Sequence, residues 1–189
     1  MAECTVAIDP GTHGIAYAAF NAEGRLYSTF FIRLHRESED QYDAVVNLAR
    51  VVKAARDLLP CRDDEPRKVI VEIPQYYANQ SARPSDLIRL AAMAGAAAAS
   101  VPGEGHARFV LPRVWKGSRD KDAFTRFIYD CLDQDELGLV TSPDEEGFRR
   151  IDGDILDAVG IGLWSLGRLK RPRHGHEKDG LWQLPDFVR

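Results

Sequence analysis

Apolar positions change their period along this chain, and the change divides it. The first third carries short runs rich in β-branched and aromatic residues: Thr5 to Ile8, Ile15 to Phe20, and Leu26 to Ile32. Turn residues separate them, Asp9-Pro10-Gly11-Thr12-His13-Gly14 and then Asn21-Ala22-Glu23-Gly24. Short turns between consecutive strands predict an antiparallel meander. Between residues 41 and 59 the period lengthens. Val45, Leu48, Ala49, Val52, Ala55 and Leu59 recur at three and four, which predicts an amphipathic helix ending before Pro60. The charged run Arg62 to Lys68 reads as a loop, and Val69 to Ile73 as a short strand ended by Pro74. With a whole helix before it, this strand is expected to reach the first strand by a crossover and to pair with it in parallel.

Further along, Ser85 is placed to cap a helix running to about Ala99, and its alanines predict a close approach to a neighbour. Arg108 to Leu111 is a fifth strand, Lys121 to Leu132 a helix, Thr141 to Gly153 a loop, and Asp154 to Leu169 the last long helix. The order predicts an α/β fold: a five-stranded mixed sheet, made of a three-strand antiparallel meander plus parallel strands, with helices on both faces. No repeat or linker divides the chain. Residues 1–170 are expected to form one domain, with a basic tail over 171–189.

Composition narrows the class. The 189 residues are 44% hydrophobic and 29% charged, the profile of a soluble globular protein. The longest uncharged run, Leu90 to Gly103, is too short to span a bilayer. The start, Met-Ala-Glu-Cys, lacks the basic and apolar regions of a signal peptide. Cys4, Cys61 and Cys131 have no metal-ligand spacing and read as reduced thiols, so a cytoplasmic setting is expected and no membrane. A net charge of -4 argues mildly against a protein that coats nucleic acid. It does not argue against an acidic metal site, which recovers positive charge when loaded. Arg168, Lys170, Arg171, Arg173 and Lys178, with His174 and His176, form a basic patch. It suits a solvated tail and a phosphate-contacting segment equally well.

Four acidic residues sit where charge is least expected. Asp9 ends an apolar strand, Glu72 lies inside one between Val71 and Ile73, and Asp154 and Asp157 open a stretch, Ala158 to Gly167, with no charged residue. Buried carboxylates are costly unless compensated, and a divalent cation is a common compensation. If the strands of Asp9 and Glu72 are parallel neighbours, their carboxyl ends share one sheet edge, where ligands bind in open α/β folds. Asp154 and Asp157, three apart, lie on one helix face. Such a cluster of oxygen ligands suits Mg²⁺ or Mn²⁺. Two ions about 4 Å apart favour in-line hydrolysis of a phosphodiester, leaving a 5′-phosphate and a 3′-hydroxyl. Taken singly, Asp9 also fits an ordinary turn, Asp154 an N-cap and Asp157 a first-turn residue.

These residues resemble the motifs of the RuvC family of Holliday-junction resolvases, within the RNase H-like superfamily. Asp9-Pro10-Gly11-Thr12 with Tyr17 is similar to the first motif, Val69-Ile70-Val71-Glu72 to the second, and Asp154-x-x-Asp157-Ala158 to the third. The element order matches as well, and the similarity runs from about Ala7 to Leu169. The resemblance implies an RNase H-like fold and a Mg²⁺- or Mn²⁺-dependent homodimer that cuts a four-way DNA junction by symmetric paired nicks. It implies DNA contacts from the segment after Glu72, where Tyr76 and Tyr77 fall. It also implies them from Leu111-Pro112-Arg113-Val114-Trp115-Lys116-Gly117 and Lys121, with Arg113 and Lys116 on DNA and Lys121 steadying developing charge. Trp115 reads as a core residue, and His13 as a turn residue facing solvent. The Trp-Lys-Gly variant looks closer to phage-type relatives. Ala16 replaces the family's usual Gly, and the run after Tyr77 lacks its Gly-Gln-Ala-Arg-Gly sequence.

Other readings keep part of this picture. An RNase H-type or flap nuclease acting on hybrids or branched replication intermediates uses the same site on another substrate. A sugar-kinase-like phosphotransferase shares an Asp-x-Gly turn but needs far more chain than 189 residues. A binding protein without activity would tolerate loss of a carboxylate, and all four are present.

Overall fold

The computed structural model describes residues 3–11, 13–34, 44–59, 67–74, 84–101, 105–117, 121–143, 149–151 and 153–169. Its elements are, in order, β1 (Cys4–Pro10), β2 (Gly14–Phe20), β3 (Leu26–Arg33), α1 (Ala44–Leu58), β4 (Arg67–Glu72), α2 (Pro84–Ser100), β5 (Gly105–Val110), α3 (Pro112–Trp115), α4 (Lys121–Tyr129), α5 (Gln134–Val140), β6 (Thr141–Pro143), β7 (Arg149–Ile151) and α6 (Gly153–Ser165). Five strands form one sheet in the order β3-β2-β1-β4-β5. β1, β2 and β3 are the antiparallel meander, and β4 joins β1 in parallel, with β5 parallel beyond it. The mixed sheet is therefore the one expected from the hydrophobic pattern.

Every residue of β1 and β2 is buried. These strands are central and covered on both faces, which is why they read as continuous apolar runs rather than alternating ones. Side chains alternate between the two faces. Ala7, Ala18, Phe20 and Ile70 pack with Phe124 and Ile128 of α4 and Leu156, Val159 and Leu163 of α6. Val6, Ile8, Tyr17, Val69 and Val71 pack on the other face with Val51 and Ala55 of α1 and Met93, Ala94 and Ala97 of α2. The small side chains of α2 permit the close approach that its composition predicts.

Several boundaries differ from the expectation. α2 starts at Pro84, so Ser85 lies within its first turn rather than capping it. Proline suits the first helical position because its missing N–H has no partner there in any case. α5 occupies Gln134–Val140, and within the expected loop Thr141 to Gly153 the short strands β6 and β7 pair antiparallel. α6 stops at Ser165. Gly167 takes φ +69° there, and Arg168 N–H and Gly167 N–H donate to Leu163 O and Trp164 O, closing the helix in a Schellman motif. The 171–189 tail lies outside the described residues.

Arg168 corrects the reading of the basic patch. It is not presented to phosphate but is committed to Glu136, whose side chain is 1% exposed. Its Nη1 and Nη2 stand 2.7 and 2.8 Å from the two Glu136 oxygens, and they also donate to Gly24 O and Cys131 O. Leu26 N–H donates to Glu136 Oε1 at 2.7 Å. Asp133 and Glu136 form a reciprocal capping box at the start of α5, each backbone N–H donating 3.0 Å to the other's carboxylate. One buried carboxylate thus ties α5, β3 and the end of α6 together. Among the described residues no helix is long and apolar enough to cross a membrane. Neither Cys4 nor Cys131 is in a disulfide.

Candidate active site

The register of β1 against β4 assembles the first half of the site. Ile8 is opposite Val71, so Asp9 and Glu72, one residue further on, come to the same carboxyl edge of neighbouring strands. Asp9 shares a face with Ala7, and Glu72 with Ile70, because side chains alternate with period two. Ala7 and Ile70 belong to the core that α6 covers. The two carboxylates therefore face the helix that carries the other two acids. Asp154 is in the first turn of α6, and Asp157 follows one turn later. Asp154 Oδ2 also lies toward the β1–β2 turn, 3.8 Å from where a Cβ on Gly11 would stand.

Asp9 is 9% exposed, and its carboxyl is held well above the ordinary range. Burial is the main cause, and the charges of Glu72, Asp157 and Asp154 add to it, while Lys116 opposes. Glu72 is pushed up to about 7. Burial again dominates, with Asp157 adding and with Trp115 and Lys116 opposing. Asp9, Glu72, Asp154 and Asp157 thus share one electrostatic neighbourhood.

Two residues at the end of α3 enter this neighbourhood. Lys116 Nζ is 2.9 and 3.0 Å from the two oxygens of Asp157. It also lies 5.5 Å from the Trp115 ring centre and 5.4 Å from that of Phe124. Trp115, 3% exposed, donates its indole N–H to Glu72 Oε2 at 2.6 Å. The core role expected of Trp115 is correct but incomplete. Its bond to Glu72 has no signature in sequence, because it joins residues 43 positions apart.

Among the described residues, no three Asp, Glu, His or Cys side chains stand close enough together to form a metal-holding group as they are. The donor set nonetheless suits a hard divalent cation. It consists of carboxylate oxygens, two of them desolvated, whose mutual repulsion is relieved only in part by one lysine.

Arg113 is exposed on α3 and Lys121 is the first residue of α4. His13 is exposed in the β1–β2 turn, as expected. Tyr76 and Tyr77 lie outside the described residues.

No family model matches the chain, and no curated protein does. Solved structures do. The chain is similar to RuvC from Thermus thermophilus at 18% identity and a TM-score of 0.49, over 85% of this chain and 92% of that one. It is similar to T. thermophilus RuvC in complex with a Holliday junction substrate at 17% identity and TM-score 0.49, over 86% and 91%. It is also similar to the yeast mitochondrial Holliday junction resolvase Ydc2 at 12% identity and TM-score 0.49, over 89% of this chain and 82% of that one.

Proposed function

We propose that this chain is a divalent-metal-dependent, structure-selective DNA endonuclease that resolves four-way junctions as a homodimer. The observation that carries the reading is that Asp9 and Glu72, at one carboxyl edge of the sheet, are raised chiefly by burial and further by neighbouring acids, Asp9 by Glu72, Asp157 and Asp154 and Glu72 by Asp157. A structural role leaves this unexplained, since the fold gains nothing from crowding four like charges. The three motifs described above supply the choice of branched DNA.

In this reading the four acids hold Mg²⁺ or Mn²⁺, two ions per site. Held by Asp9, Glu72, Asp154 and Asp157, such ions would supply activation of a water and charge stabilisation at the leaving oxygen of a phosphodiester. Lys116 keeps a positive charge beside the carboxylates, where a phosphate oxygen is its alternative counter-ion. Lys121 steadies developing charge, and Arg113, Tyr76 and Tyr77 contact DNA.

The test is cleavage of labelled four-way junction, three-way junction, flap, RNA–DNA hybrid and linear duplex in Mg²⁺, Mn²⁺ or EDTA. The expected result is metal-dependent paired nicking confined to the four-way junction. Cutting of flaps or hybrids instead moves the same site to another RNase H-like nuclease. No cutting of any substrate overturns the enzyme reading.

A further inference from the structure

Two consecutive residues, Trp115 and Lys116, reach two different acidic elements. Lys116 holds Asp157 of α6 with a charge, and Trp115 holds Glu72 of β4 with a neutral N–H. The difference matters chemically. A lysine or arginine on Glu72 would supply the positive charge that a metal brings and so would compete with it. An indole N–H is a donor without charge and without acceptor capacity. It fixes Glu72 Oε2 and, because a carboxylate is planar, sets the direction of Oε1, while leaving the negative charge in place.

The indole is itself held. Phe124 meets it edge-on, with ring centres 5.2 Å apart and planes at 68°. Gly160 of α6 passes so close that a Cβ there would stand 2.8 Å from Trp115 Cζ3. α3 begins at Pro112, two residues after Val110, and Val110 is paired with Glu72 itself. The donor is therefore anchored to the same pair of strands as its acceptor and wedged against the helix that carries Asp154 and Asp157.

We propose that Trp115 is a positioning residue for the carboxylate site, orienting Glu72 toward a divalent cation without neutralising it. This rests on the metal-dependent reading above. A tryptophan placed only to fill the core also needs a partner for its N–H, but a backbone carbonyl or water would serve. The partner here is one of the four acids.

The experiment measures Mn²⁺ binding by loss of the free-ion electron paramagnetic resonance signal, using the full chain without DNA. Trp115→Phe is expected to weaken Mn²⁺ binding about 10- to 100-fold, the usual effect of removing an outer partner of a metal ligand. Adding Trp115→Phe to Glu72→Gln is expected to cost nothing further, because both act through one carboxylate. Wild-type Mn²⁺ affinity in Trp115→Phe overturns the positioning role and leaves the metal site standing. A wild-type chain that binds no Mn²⁺ overturns both. Should Trp115→Phe fail to fold, ¹⁵N spectra of Trp164→Phe and Trp182→Phe identify the Trp115 indole N–H in the otherwise native chain. That resonance is expected to shift as Mg²⁺ saturates the site, and a resonance that stays in place overturns the inference.

Discussion

Glu136 and Glu72 are both carboxylates withdrawn from water, and the fold treats them in opposite ways. Burial acts to raise each. At Glu136 it is outweighed by Arg168 and by the N–H groups of Asp133 and Leu26, so the carboxyl is held down at about 2. At Glu72 the single indole N–H of Trp115 and the shared Lys116 do not outweigh burial and Asp157, and the carboxyl rises to about 7. Nearby Asp9 is raised for the same reasons, with three like charges around it. A buried acid that is fully partnered stabilises the fold it belongs to. A buried acid crowded by other acids costs stability, and such a cost persists where function requires it.

The largest effect expected from this contrast is on activity. Asp9→Asn replaces a proposed metal-binding carboxylate by an amide of the same size and is expected to lower junction cleavage by orders of magnitude while leaving DNA binding largely intact. In EDTA the same variant should melt no lower than wild type, since a neutral amide relieves the crowding. Parallel cleavage assays and melting curves check both halves.

Glu136→Gln should do the reverse. The shift from the ordinary 4.5 to about 2 corresponds to roughly 3 kcal/mol of stability at neutral pH. Removing the charge also leaves Arg168 without its counter-ion. For a chain of this size that lowers the melting temperature by about 6–12 °C. Cleavage by the folded fraction should stay close to wild type, because Glu136 belongs to none of the site's contacts.

The two acids should also give opposite pH slopes. Glu136 is depressed in the folded state, so its contribution is present above its unfolded value and is lost as pH falls from about 4.5 toward 2. Glu72 is raised, so the folded state binds more protons than the unfolded one between about 4.5 and 7, and stability falls as pH rises through that window. Melting of Glu72→Gln and Glu136→Gln across this range in EDTA should remove one slope each.

The smallest expected effect is on the fold at Lys116. Its pair with Asp157 is partly exposed, with side chains 23% and 28% accessible. Lys116→Met should therefore change stability by no more than about 1 kcal/mol. Its effect on cleavage should be much larger than its effect on melting, and comparing the two separates a positive charge placed for phosphate from one placed for structure.

The sheet was legible because period two and period three-to-four are properties of neighbouring residues. The parallel place of β4 followed from the helix that precedes it. Asp9, Glu72, Asp154 and Asp157 stand out in the sequence because each charge lies beside an apolar run. Trp115 on Glu72 and Arg168 on Glu136 do not, since both contacts join residues remote in sequence and depend on packing between elements. The start of α5 is marked in sequence only by the capping-box spacing Asp133-x-x-Glu136. The lone Gly138 and the short, mixed-polarity run Gln134–Val140 hid the helix. Arg168 stands beside Lys170 and Arg171 in the sequence, which disguises a role set by Glu136.

Thermal melting during a Mg²⁺ titration tests most directly whether the four acids form a divalent-cation site. A ligand that binds only the folded state stabilises it by about 2.7 kcal/mol at 100 times its dissociation constant. The wild-type chain should melt several degrees higher in Mg²⁺ than in EDTA, and Asp9→Asn should not respond. Equal responses from both chains, or none from wild type, would contradict the assignment.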